Sequence, residues 1–248
     1  MSALLKVENV TKTFGGVVAN RSVSLEVHKG DIAGLIGPNG SGKTTLFNSI
    51  VGAHPIDSGS VRFEGKEISR LIVPTIARRG LIRTFQQTRI YAEMNCVENM
   101  RISAPDARGS VLSLLSGFSN QVDIRAEELL DFVGLASKRF LRAGSLSFGQ
   151  QKLLEFAMAL MSEPKLLLLD EPTAGVNPTL INGLIDRLVR ANKELGVTLL
   201  VIEHNMRVIM NLAEHITCLA HGEVLAQGSP QEVRDNPSVV EAYLGVSA

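Results

Sequence analysis

A chain of 248 residues that is 45% hydrophobic can bury a sizeable core as one domain, with room for a small lobe. Its 25 basic and 25 acidic residues cancel, so no global field recruits nucleic acid or anionic lipid. Cys96 and Cys218 lack metal-ligand spacing, no signal-peptide pattern opens the sequence, and no apolar run nears the ~20 residues of a membrane helix; a soluble, cytosolic chain is expected unless a partner holds it at a membrane.

The first elements are β-rich. Leu4–Phe14 and Ser22–Val27 alternate apolar and polar residues as half-buried strands do, with turns at Gly15-Gly16 and Lys29-Gly30-Asp31. Asp31–Ile36 is a short apolar run that reads as a buried strand, and Thr45–Ile50 reads as the start of a helix. Between them Gly37-Pro38-Asn39-Gly40-Ser41-Gly42-Lys43-Thr44 fits G-x-x-x-x-G-K-[ST], followed by Thr45. The glycines let successive N–H groups face phosphate oxygens, and the helix N-terminus adds its positive dipole end. Lys43 is expected on the β/γ-phosphates and the Thr44 hydroxyl on Mg²⁺. A glycine-rich loop of other purpose is the weaker alternative; the strand–loop–helix context points to a nucleoside triphosphate.

A hairpin is expected over Gly59–Ile68, and from about Thr75 to Leu160 the pattern turns mostly helical, most clearly at Glu127–Val133. Ser103–Asn120, rich in Ser, Gly and Ala, reads as a loop with a short helix at most. Strand–helix alternation then returns: Leu166–Leu169 and Thr198–Ile202 are continuous apolar runs, as parallel strands buried on both faces require, and Leu180–Leu195 has helical period. The strand Leu166–Leu169 runs into Asp170-Glu171-Pro172, which places two carboxylates at a sheet edge where α/β ligand sites form. Asp170 can hold Mg²⁺ and Glu171 can polarise an attacking water, although two carboxylates can also merely solvate a strand end.

Leu146-Ser147-Phe148-Gly149-Gln150 resembles the L-S-G-G-Q signature of ATP-binding cassette (ABC) proteins, with Ser147 suited to cap a helix. The resemblance covers essentially the whole chain. It implies an α/β fold, a P-loop NTPase with a RecA-like core, an N-terminal antiparallel β-subdomain and a helical insertion carrying the signature. Core and β-subdomain would span about 1–86 and 155–248, and the helical part about 87–154, in one ABC ATPase domain. Gln86, in Arg83-Thr84-Phe85-Gln86, then stands where the family has a glutamine that senses Mg²⁺ and the attacking water. His204 stands at the switch histidine, Asn177 in the segment where many members carry Asp, and Phe14 where an aromatic stacks on adenine. A structural histidine and a core or edge-strand aromatic are the alternatives for His204 and Phe14.

Arg83–Gln86, Met94–Asn99, Val201–Met206 and Glu241–Gly245 narrow the resemblance to the ATPases of branched-chain amino-acid uptake. Such a chain would use ATP and Mg²⁺ and pair head to tail with a second copy or a related ATPase. ATP would lie between Lys43 of one subunit and Ser147, Gly149 and Gln150 of the other. Two membrane permease subunits and a periplasmic binding protein would complete an importer, with this chain at the cytoplasmic face of the inner membrane and no nucleic-acid partner. Departures are Leu153 and Met158 where relatives commonly have arginines, Asn205 where Asp is usual, and a Ser103–Asn120 insertion shorter than usual. They bear on partner and solute, since none falls on a phosphate or Mg²⁺ position. Other solutes (amides, urea, aromatic acids) or lipid or lipopolysaccharide export are the rival readings. A nucleic-acid cassette would need a coiled-coil insertion, zinc module, tandem cassette or basic face that the sequence lacks.

Overall fold

The computed structural model describes residues 3–84, 90–105 and 120–244. It divides into two compact units, the first comprising Met1–Arg83, Lys165–Pro172 and Ala191–Ala248. Within this unit, strands β1 (Ala3–Phe14), β2 (Val17–His28), β4 (Ser58–Phe63) and β5 (Lys66–Glu67) form an antiparallel sheet in the order β2-β1-β4-β5. Alternating burial along β1 and β2 explains why their sequences alternate: one face meets the core and the other meets water.

The second sheet runs β10-β9-β3-β8-β7-β6, from strands β3 (Ile32–Ile36), β6 (Leu81–Arg83), β7 (Leu166–Asp170), β8 (Thr198–Ile202), β9 (His215–Ala220) and β10 (Glu223–Gly228). β3, β6, β7, β8 and β9 are mutually parallel neighbours and β10 closes the edge antiparallel to β9. Every residue of β3, β7 and β8 is buried, which is why these strands read as unbroken apolar runs. β6 lies inside the stretch expected to be mostly helical. Its three residues carry too little periodicity to announce a strand, and pairing with β7, Leu81 beside Leu166 and Arg83 beside Leu168, sets their conformation.

Helix α1 (Lys43–Ile50) buries Leu46, Phe47 and Ile50 in the cluster that also holds Leu5, Val23, Phe63, Leu168 and Leu200, so one core joins both sheets. A fully buried Leu or Phe in such a cluster contributes about 1.5–3 kcal/mol of transfer free energy. Short helices α2 (Val73–Ala77), α7 (Met206–Leu212), α8 (Pro230–Arg234) and α9 (Pro237–Leu244) complete the unit.

The second unit comprises Thr84–Pro164 and Thr173–Arg190. It contains α3 (Cys96–Ser103), α4 (Asn120–Phe132), α5 (Phe148–Leu160) and most of α6 (Pro178–Leu195). Asn95 and Glu98 form a capping box at the start of α3, and Arg101 reaches Asp123 at 2.6 Å to tie α3 to α4. Arg187 of α6 donates to Val133 O at 2.8 Å, and the Arg190 guanidinium stacks 4.7 Å over the Phe132 ring, which binds this part of α6 to the end of α4. Of the loop expected over Ser103–Asn120, positions 106–119 lie outside the described residues, Ser103 ends α3 and Asn120 begins α4. No helix among the described residues is long and apolar enough to cross a membrane.

Candidate active site

The chain leaves β3 at Ile36 and turns through residues 37–42 into α1. The turn depends on glycine at two places. Gly37 has φ 147° and a Cβ there would lie 2.1 Å from Leu219 O; Gly42 has φ 98° and a Cβ would lie 2.3 Å from Ala19 O. The loop is therefore pressed against β9 on one side and β2 on the other. Pro38, Asn39 and Gly40 arch over the turn, with Asn39 and Gly40 exposed, and Ser41 is buried beneath. No side chain caps α1 and no acidic residue occupies its first turn, so no side chain of that turn competes for its N-terminal N–H groups. Thr44 is exposed and Thr45 half-buried at that end.

Lys43 folds back over the loop. Its ammonium donates to Gly37 O at 2.8 Å and to Pro38 O at 2.9 Å. Burial pulls its pKa down, against the smaller upward pull of the Glu171 and Asp170 carboxylates. The loop is also braced from the distant C-terminal helix: Gly37 N–H donates to Tyr243 Oη at 2.7 Å. Burial pushes that phenol up to about 12, and the neighbouring buried Cys218 thiol up to about 11. Tyr243 therefore stays a neutral acceptor at ordinary pH.

β7 ends in the two carboxylates. Asp170 is fully buried; Arg83 donates to its Oδ2 at 2.7 Å and also to Asn48 Oδ1 on α1. The other oxygen, Asp170 Oδ1, is buried with no hydrogen-bond partner. Such an orphaned lone pair fits a cation or a cation's water. Among the described residues no group of three or more His, Cys, Asp and Glu could hold a metal by itself. Glu171 has φ 51°, a left-handed conformation rare outside glycine, and its N–H is fixed on Ile202 O at 3.0 Å. This turn puts its carboxylate against His204, with Oε1 2.6 Å from Nε2. His204 follows β8 and sits just before Asn205, whose side chain caps α7 through Arg207 N–H and Val208 N–H.

In the helical unit Ser147 is the N-cap of α5. Its Oγ accepts from Gln150 N–H at 3.4 Å while Gln150 Oε1 accepts from Ser147 N–H at 3.1 Å. Ser147 is exposed, and Gly149 packs so closely that a Cβ would meet Leu180 Cδ1 at 3.1 Å. Asn177 is turned onto its own helix, accepting from Thr179 N–H and Oγ1. Phe14, at the hairpin end of β1, is 44% exposed and stands edge-on to His54 at 5.4 Å, with the Lys12 ammonium 5.1 Å from its ring. It is outside the core, and at this end β1 pairs with β2 alone, since its pairing with β4 stops at Thr11. Gln86 lies outside the described residues.

Sequence reasoning left Arg83, Asn48 and Tyr243 without roles. Arg83 carries a faint signal, a lone cation on a short strand beside β7; for Asn48 and Tyr243 only the folded chain brings the partner close.

A family model described as ABC transporter matches residues 20–174, and one described as branched-chain amino acid ATP-binding cassette transporter matches residues 223–248. The chain is 38% identical to the high-affinity branched-chain amino acid transport ATP-binding protein BraF of Pseudomonas aeruginosa, covering 98% of both. It is 40% identical to the probable branched-chain amino acid transport ATP-binding protein LivG of Archaeoglobus fulgidus, covering 98% of this chain and 95% of that one. Its fold is similar to the ADP conformation of an ATP-binding cassette of an ABC transporter, with TM-score 0.89 at 35% identity over 99% of this chain and 100% of that one. It is also similar to a dimeric, post-hydrolysis cassette bound to ADP and Pi, with TM-score 0.77 at 27% identity over 91% of this chain and 98% of that one. The chain belongs to the ABC transporter family, among the ATP-binding cassette ATPases of branched-chain amino acid transport.

Proposed function

We propose that this chain binds and hydrolyses ATP to drive import of branched-chain amino acids. It would work as one ATPase domain at the cytoplasmic face of a membrane, held there by two permease subunits and supplied by a periplasmic solute-binding protein. The observation that carries the catalytic reading is the juxtaposition of an uncapped, glycine-shaped phosphate loop with the Glu171–His204 pair at the ends of β7 and β8.

In this reading the loop N–H groups of residues 37–45 and the Lys43 ammonium hold the phosphates, and Phe14 offers its exposed ring to the base. Thr44 and Asp170 hold Mg²⁺, with Gln86 as a further ligand or sensor. Bound Mg²⁺ supplies charge neutralisation across the phosphate oxygens. Glu171 takes a proton from the attacking water, and His204, donating from Nε2, holds the Glu171 carboxylate in place for that transfer. Ser147, Gly149 and Gln150 serve the site of a second subunit, a copy of this chain or a related ATPase, in a head-to-tail pair. The dimeric ADP-bound relative supports the pairing, and the relatives' names support the solute.

Labelled-leucine uptake in cells deleted for this chain tests the proposal. Loss of uptake, restored by the native chain and not by Glu171→Gln, is expected. Unchanged leucine, isoleucine and valine uptake beside loss of another solute would reject the cargo and leave the ATPase reading intact.

A further inference from the structure

Arg83 opens the Arg83–Gln86 segment without a role of its own there, yet it is among the most buried cations of the first unit, with a side chain 8% exposed. Among the described residues its guanidinium makes contacts in three directions. One N–H₂ group donates to Asp170 Oδ2 at 2.7 Å, the other meets Asn48 Oδ1, and the planar group lies 5.8 Å from the centre of the Phe47 ring. Asn48 and Phe47 are consecutive residues of α1, the helix that begins with Lys43 and Thr44. Arg83 therefore links the helix of the phosphate loop to the carboxylate at the end of β7.

The consequence for Asp170 is geometric. A planar guanidinium held on two hydrogen bonds and a ring has little freedom, so the carboxylate it grips has little freedom either. Oδ2 is taken, and Oδ1 is left buried and without a partner. We propose that Arg83 is a positioning residue for the metal: it fixes Asp170 by one oxygen so that the other is presented, already desolvated and oriented, to the Mg²⁺ that accompanies ATP. This rests on the ATPase reading above. A competing effect is repulsion between the guanidinium and the metal. Orientation should win, because the two cations act on opposite oxygens of one carboxylate, and outer partners that orient a metal ligand are commonly worth about 10–100-fold in metal affinity.

The test uses binding rather than turnover. A fluorescent, non-hydrolysable ATP analogue is titrated into the full chain in Mg²⁺ and again in EDTA, and the ratio of the two affinities measures how strongly the metal supports the nucleotide. For Arg83→Met the ratio is expected to fall about 10–100-fold, with affinity in EDTA held within about threefold of native. Arg83→Lys keeps the charge but cannot span Asn48 and Asp170 together, and is expected to fall in between. It also supplies the answer if Arg83→Met does not fold. A ratio unchanged or raised in the folded variants would overturn the proposal, as would an equal loss with and without metal, the mark of a merely structural role. Failure of the native chain to bind the analogue under either condition would instead overturn the ATPase reading, and this inference with it.

Discussion

His204 Nε2 and Glu171 Oε1 approach to 2.6 Å, although the two residues leave the sheet on different strands. The contact requires Glu171 to hold φ 51°, and backbone in that region costs roughly 1–3 kcal/mol unless its surroundings enforce it. Here the Glu171 N–H on Ile202 O enforces it. Glu171→Gln should keep nucleotide binding and slow turnover ~10²–10⁴-fold, leaving an ATP-bound dimer that persists. Phosphate release and sizing with ATP and Mg²⁺ check this. Near-native turnover would move the base role elsewhere, His204 being the next candidate.

Lys43 and Ser147 should separate binding from pairing. Lys43→Ala removes the ammonium that a phosphate would recruit from Gly37 O and Pro38 O. A lost charge-assisted contact predicts at least about a tenfold drop in nucleotide affinity of the dilute monomer. Ser147→Arg removes a helix cap worth about 1 kcal/mol and places a bulky cation on an exposed surface, so the monomer should bind normally and fail to dimerise. Equal loss of monomer affinity in both variants would count against the head-to-tail arrangement.

Nucleotide binding should take up protons at alkaline pH. Burial lowers the Lys43 pKa in the free chain, and a bound phosphate restores it by favouring the charged form. Between those two values the free lysine is neutral and the bound one charged, so affinity falls as pH rises through that window. Calorimetry in two alkaline buffers of different ionisation enthalpy measures the uptake. Adenosine, which lacks phosphates, should show none.

Two loop glycines should respond differently to the same change. Both have positive φ, but a Cβ on Gly40 meets nothing within 4 Å whereas one on Gly42 meets Ala19 O at 2.3 Å. Gly40→Ala should cost about 1–2 kcal/mol of stability from backbone strain alone. Gly42→Ala must also push the loop off β2, and its unfolding midpoint in denaturant should fall distinctly further. Equal midpoints would mean that the β2 contact yields freely.

What the sequence announced were features that local pattern or spacing can encode. β3, β7 and β8 stand out because strands buried on both faces need unbroken apolar runs, and Ser147 because a cap residue precedes its helix. β6 is too short to show a period, and β9 gave no separate signal although it flanks β3. Arg83–Asp170 spans 87 positions and Arg83–Asn48 spans 35, and contacts of that kind exist only once the sheet has ordered its strands.

The Tyr243–Gly37 bond crosses 206 positions of sequence. The strand leading into the phosphate loop is flanked by β8 and β9, both from the last quarter of the chain. During synthesis the glycine loop therefore emerges with its β2 support in place but long before β8, β9 and Tyr243. A nascent chain stopped before Thr198 would carry Gly37–Thr45 in full and still bind no nucleotide, so ATP cannot guide the early stages of folding and can reward only the finished sheet.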